Sequence, residues 1–342
     1  MKKYKRRSYK SKREEFTNRP IKDRYFTKED VFVSRLASIL MCPKSQVKAT
    51  FAKRPVTTIR LNKLKGDVKD TKEKLINKGY DLQEIPFAEN VYFVKNKNKS
   101  EASQNQEYND GKFYIQNLSS IIAVLVLNPK EGETILDMCA APGSKSTYIA
   151  DITNGKANIL ANDSDVKRFG DLQSVIKQFG TPSIKATLSD AREFGKKYPV
   201  YFDNVLLDAP CSGEGLIYFN GQRPLRYWSM NKVKKCIYTQ KELIVSAFKT
   251  LKHGHSMVYS TCTLEPEENE GVVTHLLSQF SNAKVEKIDL IDSEEFADFK
   301  HLVRPGIKKW SGNTYNKEVT KTMRIIPCGK MMGFYIAKIR KE

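Results

Sequence analysis

Two cysteines of this sequence stand where a thiol can be put to chemical use. The segments DAPCSGEG at 208–215 and YSTCTLEPEENE at 259–270 place Cys211 and Cys262 just past apolar, strand-like runs. A buried free cysteine is ordinarily a small, inert hydrophobe. These two have turn-forming and polar neighbours instead: Pro210, Ser212, Gly213 and Gly215 around the first, Thr261, Thr263, Glu265 and Pro266 around the second. Loops at strand ends are where a rigid scaffold presents reactive groups. A thiolate there can act as a covalent catalyst, splitting one hard step into easier ones.

A second constellation is acidic. Asp137, Asp163, Asp190 and Asp208 recur at or near the carboxyl ends of short apolar runs. In open α/β sheets, ligands bind outside those strand ends. After the first run comes LDMCAAPGSKS, whose small residues Ala140, Ala141 and Gly143 let a ligand approach the backbone closely. Lys145 and Ser146 then open a helix, and helix N-terminal amides can meet a carboxylate. Asp163 follows at about the interval at which a ribose-binding acid follows a nucleotide loop. Each acid alone could equally cap the next helix. Four of them beside one small-residue loop favour an adenosine-containing ligand. Neither GxGxxG nor GxxxxGK followed by Ser or Thr is present, which argues against NAD and ATP.

The elements that must position these residues are readable in outline. A helical pattern at 28–41 offers Val31, Leu36, Ile39 and Leu40 as an apolar face. TTIRLNKL at 57–64 reads as a strand, KDTKEKLINKGY as a helix stopped at Gly79, and VYFV at 91–94 as a second strand. The polar stretch 95–112 reads as a linker or exposed loop. From 113 onward a helical stretch at 117–127 leads into apolar strands alternating with helices: 134–138, 157–163, 184–190, 204–210 and 256–261. Buried parallel strands have this texture, and the alternation implies a doubly wound α/β sheet. MRIIP and GFYIAKI suit a terminal hairpin. The expected division is a basic tail at 1–24, a small module with linker at 25–112, and a catalytic domain at 113–342.

Charge points to the partner. Lys and Arg outnumber Asp and Glu by 59 to 39, a formal +20, and such an excess favours a polyanion because Lys and Arg displace counterions from phosphate. The start, MKKYKRRSYKSKR, has no acid before Glu14 and few apolar residues. It reads as an RNA-binding arm or a disordered tail rather than a presequence. The six cysteines show no zinc-ligand spacing, so no metal is expected. No apolar run is long enough for a membrane span. A reducing cytoplasm and a monomer are the expectations.

With these motifs in order, the sequence resembles the RNA cytosine-5 methyltransferase family. The resemblance covers roughly 113–340, through YIQNLSS, LDMCAAPGSKS, ANDSDVKR, SDARE, DNVLLDAPCSGEG, YSTCTLEPEENE, and MRIIP followed by GFYIAKIRK. TTIRLNKLK and its following helix are similar, more weakly, to the family's small RNA-recognition-like module. The resemblance implies a Rossmann-like class I methyltransferase sheet with helices on both faces, plus a small N-terminal α+β module. It implies S-adenosylmethionine as cofactor and tRNA or rRNA as partner. Cys262 would then attack carbon 6 of cytosine, Asp208 would meet the base near ring nitrogen 3, and Cys211 would assist release. Cys139, Ala140, Ala141, Pro142, Gly143, Ser144, Lys145, Asp163, Arg168, Asp190 and Asp208 would line the cofactor site. The base would have to leave its stack. The sequence departs from the family pattern at Ser144, Ser146 and Leu216, where the family commonly shows Gly, Thr and Thr.

Two other readings compete. A DNA cytosine enzyme would use a Pro-Cys nucleophile, which Pro210–Cys211 offers superficially, but Thr261–Cys262 and the N-terminal module speak against it. A non-catalytic RNA-binding or ribosome-assembly factor would not need both cysteines. The loop 217–235, rich in Arg, Lys and aromatics, reads either as ordinary packing of Tyr227 and Trp228 or as an RNA-facing clamp. RNA affinity is expected to fall steeply with salt. Deleting residues 1–24 should flatten the slope of log affinity against log salt by about 0.7–0.9 per lost phosphate contact; an unchanged slope in a filter-binding titration would remove the tail from the interface.

Overall fold

The computed structural model describes residues 27–219 and 225–342. The basic tail expected at 1–24 lies outside the described residues. Helix α1 (Lys28–Leu40) starts from a capping box in which Thr27 and Asp30 satisfy each other's backbone amides. Its buried face is Phe32, Val33, Leu36 and Ile39, whereas Val31 and Leu40 lie at its margin, so the apolar stripe is rotated from the expected one. Helix α2 (Lys44–Phe51) follows. Both helices belong in sequence to the expected N-terminal module. Their buried residues nevertheless cluster with Leu225, Trp228 and Leu264, on the loops of the following domain.

The small module comprises β1 (Thr57–Leu61), α3 (Val68–Asn77), β2 (Leu82–Glu84), β3 (Val91–Val94) and β4 (Phe113–Ile115). Its four strands run antiparallel in the order β2-β3-β1-β4. The stretch 95–112 is not the linker expected from its polarity. It folds into two one-turn helices, Lys99–Ala102 and Gln106–Asn109, capped by Asn98 and Asn105, and it buries Ala102. These turns stand where the second helix of a β-α-β-β-α-β unit belongs. β4 therefore closes the small sheet, and residues 113–115, expected to open the catalytic domain, pair with β1.

The large sheet is built from α4 (Leu118–Leu127), β5 (Thr134–Asp137), α5 (Ser144–Ile152), β6 (Asn158–Asp163), α6 (Val166–Phe179), β7 (Ile184–Leu188), β8 (Phe202–Asp208), α7 (Met230–Thr250), β9 (Leu251–Thr261), α8 (Glu270–Gln279), β10 (Ala283–Glu286), β11 (Val303–Pro305), β14 (Met323–Ile325) and β15 (Phe334–Lys341). A short ribbon of β12 (Lys309–Trp310) and β13 (Asn313–Thr314) stands apart. The order is β11-β14-β15-β9-β8-β5-β6-β7, with β10 also on β15. Strands β7, β6, β5, β8 and β9 are parallel, while β15, β14, β11 and β10 join antiparallel. The expected terminal hairpin exists as the β14–β15 pair, but it extends the main sheet. Alternate residues of each strand face opposite cores: Ile135, Leu206 and Val258 on one side, Leu136, Val205 and Met257 on the other. The order in which successive parallel strands are added reverses between β5 and β8, which opens the ligand crevice of doubly wound folds beyond those two strand ends.

One buried cation ties the two sheets together. Arg60 of β1 is fully buried. Its Nη2 donates to Thr147 Oγ1 at 3.1 Å, its Nη1 lies 3.5 Å from Asp151 Oδ2, and its guanidinium sits 4.7 Å from the Tyr148 ring centroid. All three partners are on α5. Removing one member of a buried ion pair strands the other charge in the interior. Arg60→Ala should cost about 3–5 kcal/mol in urea unfolding; a loss below 1 kcal/mol would show that the Asp151 charge is relieved by other means.

Candidate active site

The acids fall at the crevice in graded environments. Asp137, at the end of β5, is buried; Ser146 Oγ donates to its Oδ2 at 2.6 Å, and burial pushes its carboxyl up to about 7. Ser146 thus supplies the hydroxyl expected of threonine at this departure from the family pattern. Asp163, at the end of β6, accepts from the Asp165 amide at 3.1 Å and the Ala141 amide at 3.3 Å, and lies 3.3 Å from Arg168. Arg168 also donates to Ala141 O at 2.6 Å, fastening the small-residue loop to α6. Asp190 caps the turn that follows it and is paired with Arg192 at 2.6 Å, so the capping reading holds for this acid alongside its place in the crevice wall. Asp208, at the end of β8, accepts from Lys145 Nζ at 2.5 Å and from Ser260 Oγ at 2.7 Å.

The loop that carries the small residues turns at Gly143, whose φ of 106° suits glycine. A Cβ there would also press on Leu172 and Val175 of α6 at 3.1 Å. The loop's apolar members Ala140 and Ala141 are buried, Pro142 is exposed, and Ser144 opens α5. Lys145 turns from the loop to Asp208.

Two cavities meet in the crevice. The first, about 260 Å³, is walled by Cys139, Asp163, Arg168 and Asp190, with Met138 and Leu243 supplying apolar surface. Asn162 also lines it, and its buried Oδ1 has no hydrogen-bond partner among the described residues. Carboxylates for hydroxyls, an apolar slot and a free acceptor fit an adenosine group. The second cavity, about 520 Å³, holds Asp208, Cys211 and Cys262 under Ile217, Tyr218 and Tyr227. Cys139, Arg168 and Pro210 line both. Ala140, Ala141, Pro142, Gly143, Ser144 and Lys145 line neither cavity wall.

The two thiols are brought together: Cys211 Sγ lies 3.1 Å from Cys262 Sγ. The contact with Cys262, and then burial, push the Cys211 thiol well up, and burial does the same to Cys139. The two cysteine loops are also joined by backbone, with Gly215 N donating to Cys262 O at 2.9 Å. Trp228 is 2 % exposed; it stacks edge-on against Phe32 of α1 at 5.0 Å and its indole N–H donates to Glu214. It belongs to the packing. Tyr227, 73 % exposed, stays available at the cavity mouth, with Arg226 at 5.1 Å from its ring. The middle of that loop, 220–224, lies outside the described residues. Leu216 is half exposed at the same mouth.

The family described as 16S rRNA methyltransferase RsmB/F matches residues 124–340, and the N-terminal domain of 16S rRNA methyltransferase RsmF matches 29–118. The chain belongs to the RsmB/F methyltransferase family. The methyltransferase is 41% identical over 286 residues to the tRNA (cytosine(49)-C(5))-methyltransferase of Pyrococcus abyssi, covering 83% of this chain and 88% of that protein. It is 36% identical over 297 residues to ribosomal RNA small subunit methyltransferase F of Aliivibrio fischeri, covering 85% of this chain but only 59% of that longer protein. A crystal structure of a methyltransferase homologue from Pyrococcus horikoshii superposes with a TM-score of 0.72 at 27% identity, over 93% of this chain and all of that one.

Sequence reasoning missed several wall residues of the methyltransferase. Arg54 reaches the larger cavity from the segment after α2, and Thr239 and Leu243 reach the smaller one from α7. None carries a local signal, since an amphipathic helix reads the same whether its face meets core or ligand. Among the described residues there is no group of acids, histidines and cysteines that could hold a metal, and no helix long and apolar enough to cross a membrane. A Cβ on Gly215 would lie 2.0 Å from Gly333 O and 2.9 Å from Cys262 O. Gly215→Ala should therefore destabilise by about 1–3 kcal/mol and lower the methylation rate by about 100-fold through misplaced thiols; normal melting and normal kinetics together would show that the loops can give way.

Proposed function

We propose that this enzyme methylates carbon 5 of cytosine in a tRNA or rRNA through a covalent Cys262–cytosine adduct, with Cys211 assisting release. The observation that carries the reading is the pair of thiols 3.1 Å apart beside Asp208, in a cavity that adjoins an adenosine-shaped one. The relatives' printed substrates, a tRNA cytosine and small-subunit rRNA, support RNA as the partner.

Carbon 5 of cytosine is a poor nucleophile. Attack of the Cys262 thiolate on carbon 6 forms a C–S bond and moves the ring π electrons towards carbon 5 and the nitrogen 3 edge. Asp208, held by Lys145 and Ser260, would meet that edge, and the Lys145 ammonium beside it would offset the developing negative charge. S-adenosylmethionine, when bound, supplies an electrophilic methyl group. Cys139, Asp163, Arg168 and Asp190 would hold it, with the Asp163 carboxylate for the ribose hydroxyls, and the Ala140 to Lys145 loop standing behind that wall through the Ala141 contacts to Asp163 and Arg168. Once Cys262 is bonded to carbon 6, its contact no longer holds the Cys211 thiol protonated; Cys211 would lose its proton to solvent and then, as a thiolate, take the carbon 5 proton as the C–S bond breaks and Cys262 leaves. Tyr227, Arg54 and Lys232 at the mouth suit a flipped base and its phosphates. The six thiols are unpaired, which suits a reducing compartment such as the cytoplasm.

The two cysteines stop the cycle at different points. Cys262→Ala should lower methylation by about 10⁴-fold or more and form no adduct. Cys211→Ala should form an adduct that depends on S-adenosylmethionine and survives denaturing electrophoresis. The DNA-type alternative predicts the reverse. A stable adduct in Cys262→Ala, or none in Cys211→Ala, would overturn these roles.

A further inference from the structure

Behind the two cysteines lies a cluster of carboxylates that the mechanism does not use. Ser212 follows Cys211 in sequence and Thr263 follows Cys262, and their hydroxyls are 3.1 Å apart. Both are buried between Glu214 and Glu268, which are themselves fully buried. Glu214 Oε1 accepts from the Trp228 indole, and its Oε2 accepts from Thr263 Oγ1 and, at 2.9 Å, faces Ser212 Oγ. Glu268 Oε2 accepts from the Ser212 amide at 3.0 Å and from Gln240 Nε2 at 2.8 Å. Among the described residues its Oε1 meets only hydroxyls: Ser212 in close contact and Thr263 at 3.4 Å.

The protons do not suffice if both acids are ionised. Ser212 has one hydroxyl proton and contacts two carboxyl oxygens, and buried carboxylates so close cannot both keep their charge. One acid must donate. Glu214 already receives an indole N–H and the Thr263 hydroxyl, as an ionised acceptor does. Glu268 Oε1 faces no N–H among the described residues, so a proton there can point at Ser212, which passes its own to Glu214.

We propose that Glu268 is a neutral acid at physiological pH and, with ionised Glu214, forms a one-proton clamp that locks the Cys211 loop to the Cys262 loop. Both are positioning residues, and their importance for methylation rests on the cysteine roles proposed above. Burial, and then the Glu214 charge, push the Glu268 carboxyl up to about 8. The other ionisable groups around it are consistent with this. Lys232 of α7 spends its ammonium on Ser212 O at 3.1 Å. Cys236 of α7, Cys211 and Tyr259 of β9 are all pushed up, so they bring no negative charge near neutrality. Tyr259 donates its hydroxyl to Glu268 O at 2.6 Å. Glu265 is paired with Arg35 of α1, and Cys262 faces the substrate cavity. Because the folded-state value of Glu268 is raised, that acid's own contribution to stability is full below the ordinary carboxylate range and is lost as pH rises through about 8.

The clamp is asymmetric, and that makes it testable. Glutamine copies a protonated glutamic acid: its oxygen accepts from Ser212 N and Gln240, and its amide donates to Ser212. E268A should lower methylation about 100-fold, and E268Q should recover most of that loss while abolishing the alkaline fall in rate. E214Q should be as damaging as E268A, since it turns a donor towards donors. Infrared difference spectra read the proton directly. The wild type minus E268Q at pH 7 should show a protonated carboxyl carbonyl band, and so should the same difference in a Cys262→Ala background. Absence of that band overturns the proposal whatever the cysteines do. So does E268Q as inactive as E268A, or E214Q as mild as E268Q. A normal band with the cysteine roles reversed would sink the mechanism above and leave the shared proton standing.

Discussion

The parallel register of β8 on β9 is the constraint on which the site depends. It sets Asp208 opposite Ser260, and the Ala209 amide reaches Ser260 O at 2.9 Å. Cys211 lies three residues beyond one partner and Cys262 two beyond the other, so the two loops leave the sheet side by side. A one-residue slip of either strand would turn its core face outward. The same slip would separate the thiols and take the Ser260 hydroxyl away from Asp208. The apolar alternation of Val205, Leu207, Met257 and Tyr259 against Leu206 and Val258 therefore fixes the spacing of the two thiols as well as the core.

Around that register the protein has placed polar groups where a core would normally be apolar. Arg324 is buried and donates to both oxygens of Glu270 at 2.5 and 2.6 Å and to Leu264 O at 3.0 Å. Asn269 bridges Thr261 and Thr263 from the other side. Such groups are costly to bury unless fully satisfied. Here they brace a loop that regular secondary structure cannot brace, because the chain must leave β9 before α8 begins. Arg35 does the same from outside, joining α1 to Glu265 and Glu267. The N-terminal helices thus support the cysteine loops as well as preceding the small sheet.

Much of this was legible in the sequence. The parallel strands announce themselves as apolar runs, and the acids at their ends and the two cysteine motifs keep their order and spacing in space. What was not legible depended on partners distant in sequence. Nothing local in Phe32 or Trp228 says that they meet. Residues 95–112 are polar because their turns are one helical turn long and capped by asparagines, so too few side chains are buried to leave a hydrophobic pattern. The Asn98–Glu101 capping box was the one available signal there. The rotated face of α1 was misread because Phe32 and Val33 were passed over for Val31 and Leu40. The clamp acids Glu214 and Glu268 look in sequence like solvated charges, which is what most glutamates are.

The sheet is also assembled out of sequence order. Strands β5, β6 and β7 can zip together as they are made, yet β9, which leads into Cys262, pairs with β15, which follows every other strand of the sheet in the chain. Tyr335 pairs with Thr261 and Ile336 with Ser260. Until residues 334–341 have emerged from the ribosome, one edge of the Cys262 strand is open, and Gly333 is not yet in place against Gly215. A nascent chain with the crevice beyond β5 and β8 already shaped would still lack the final setting of Cys262 beside Cys211. Formation of the thiol pair is thereby tied to the arrival of β15, the strand farthest along the chain from β5.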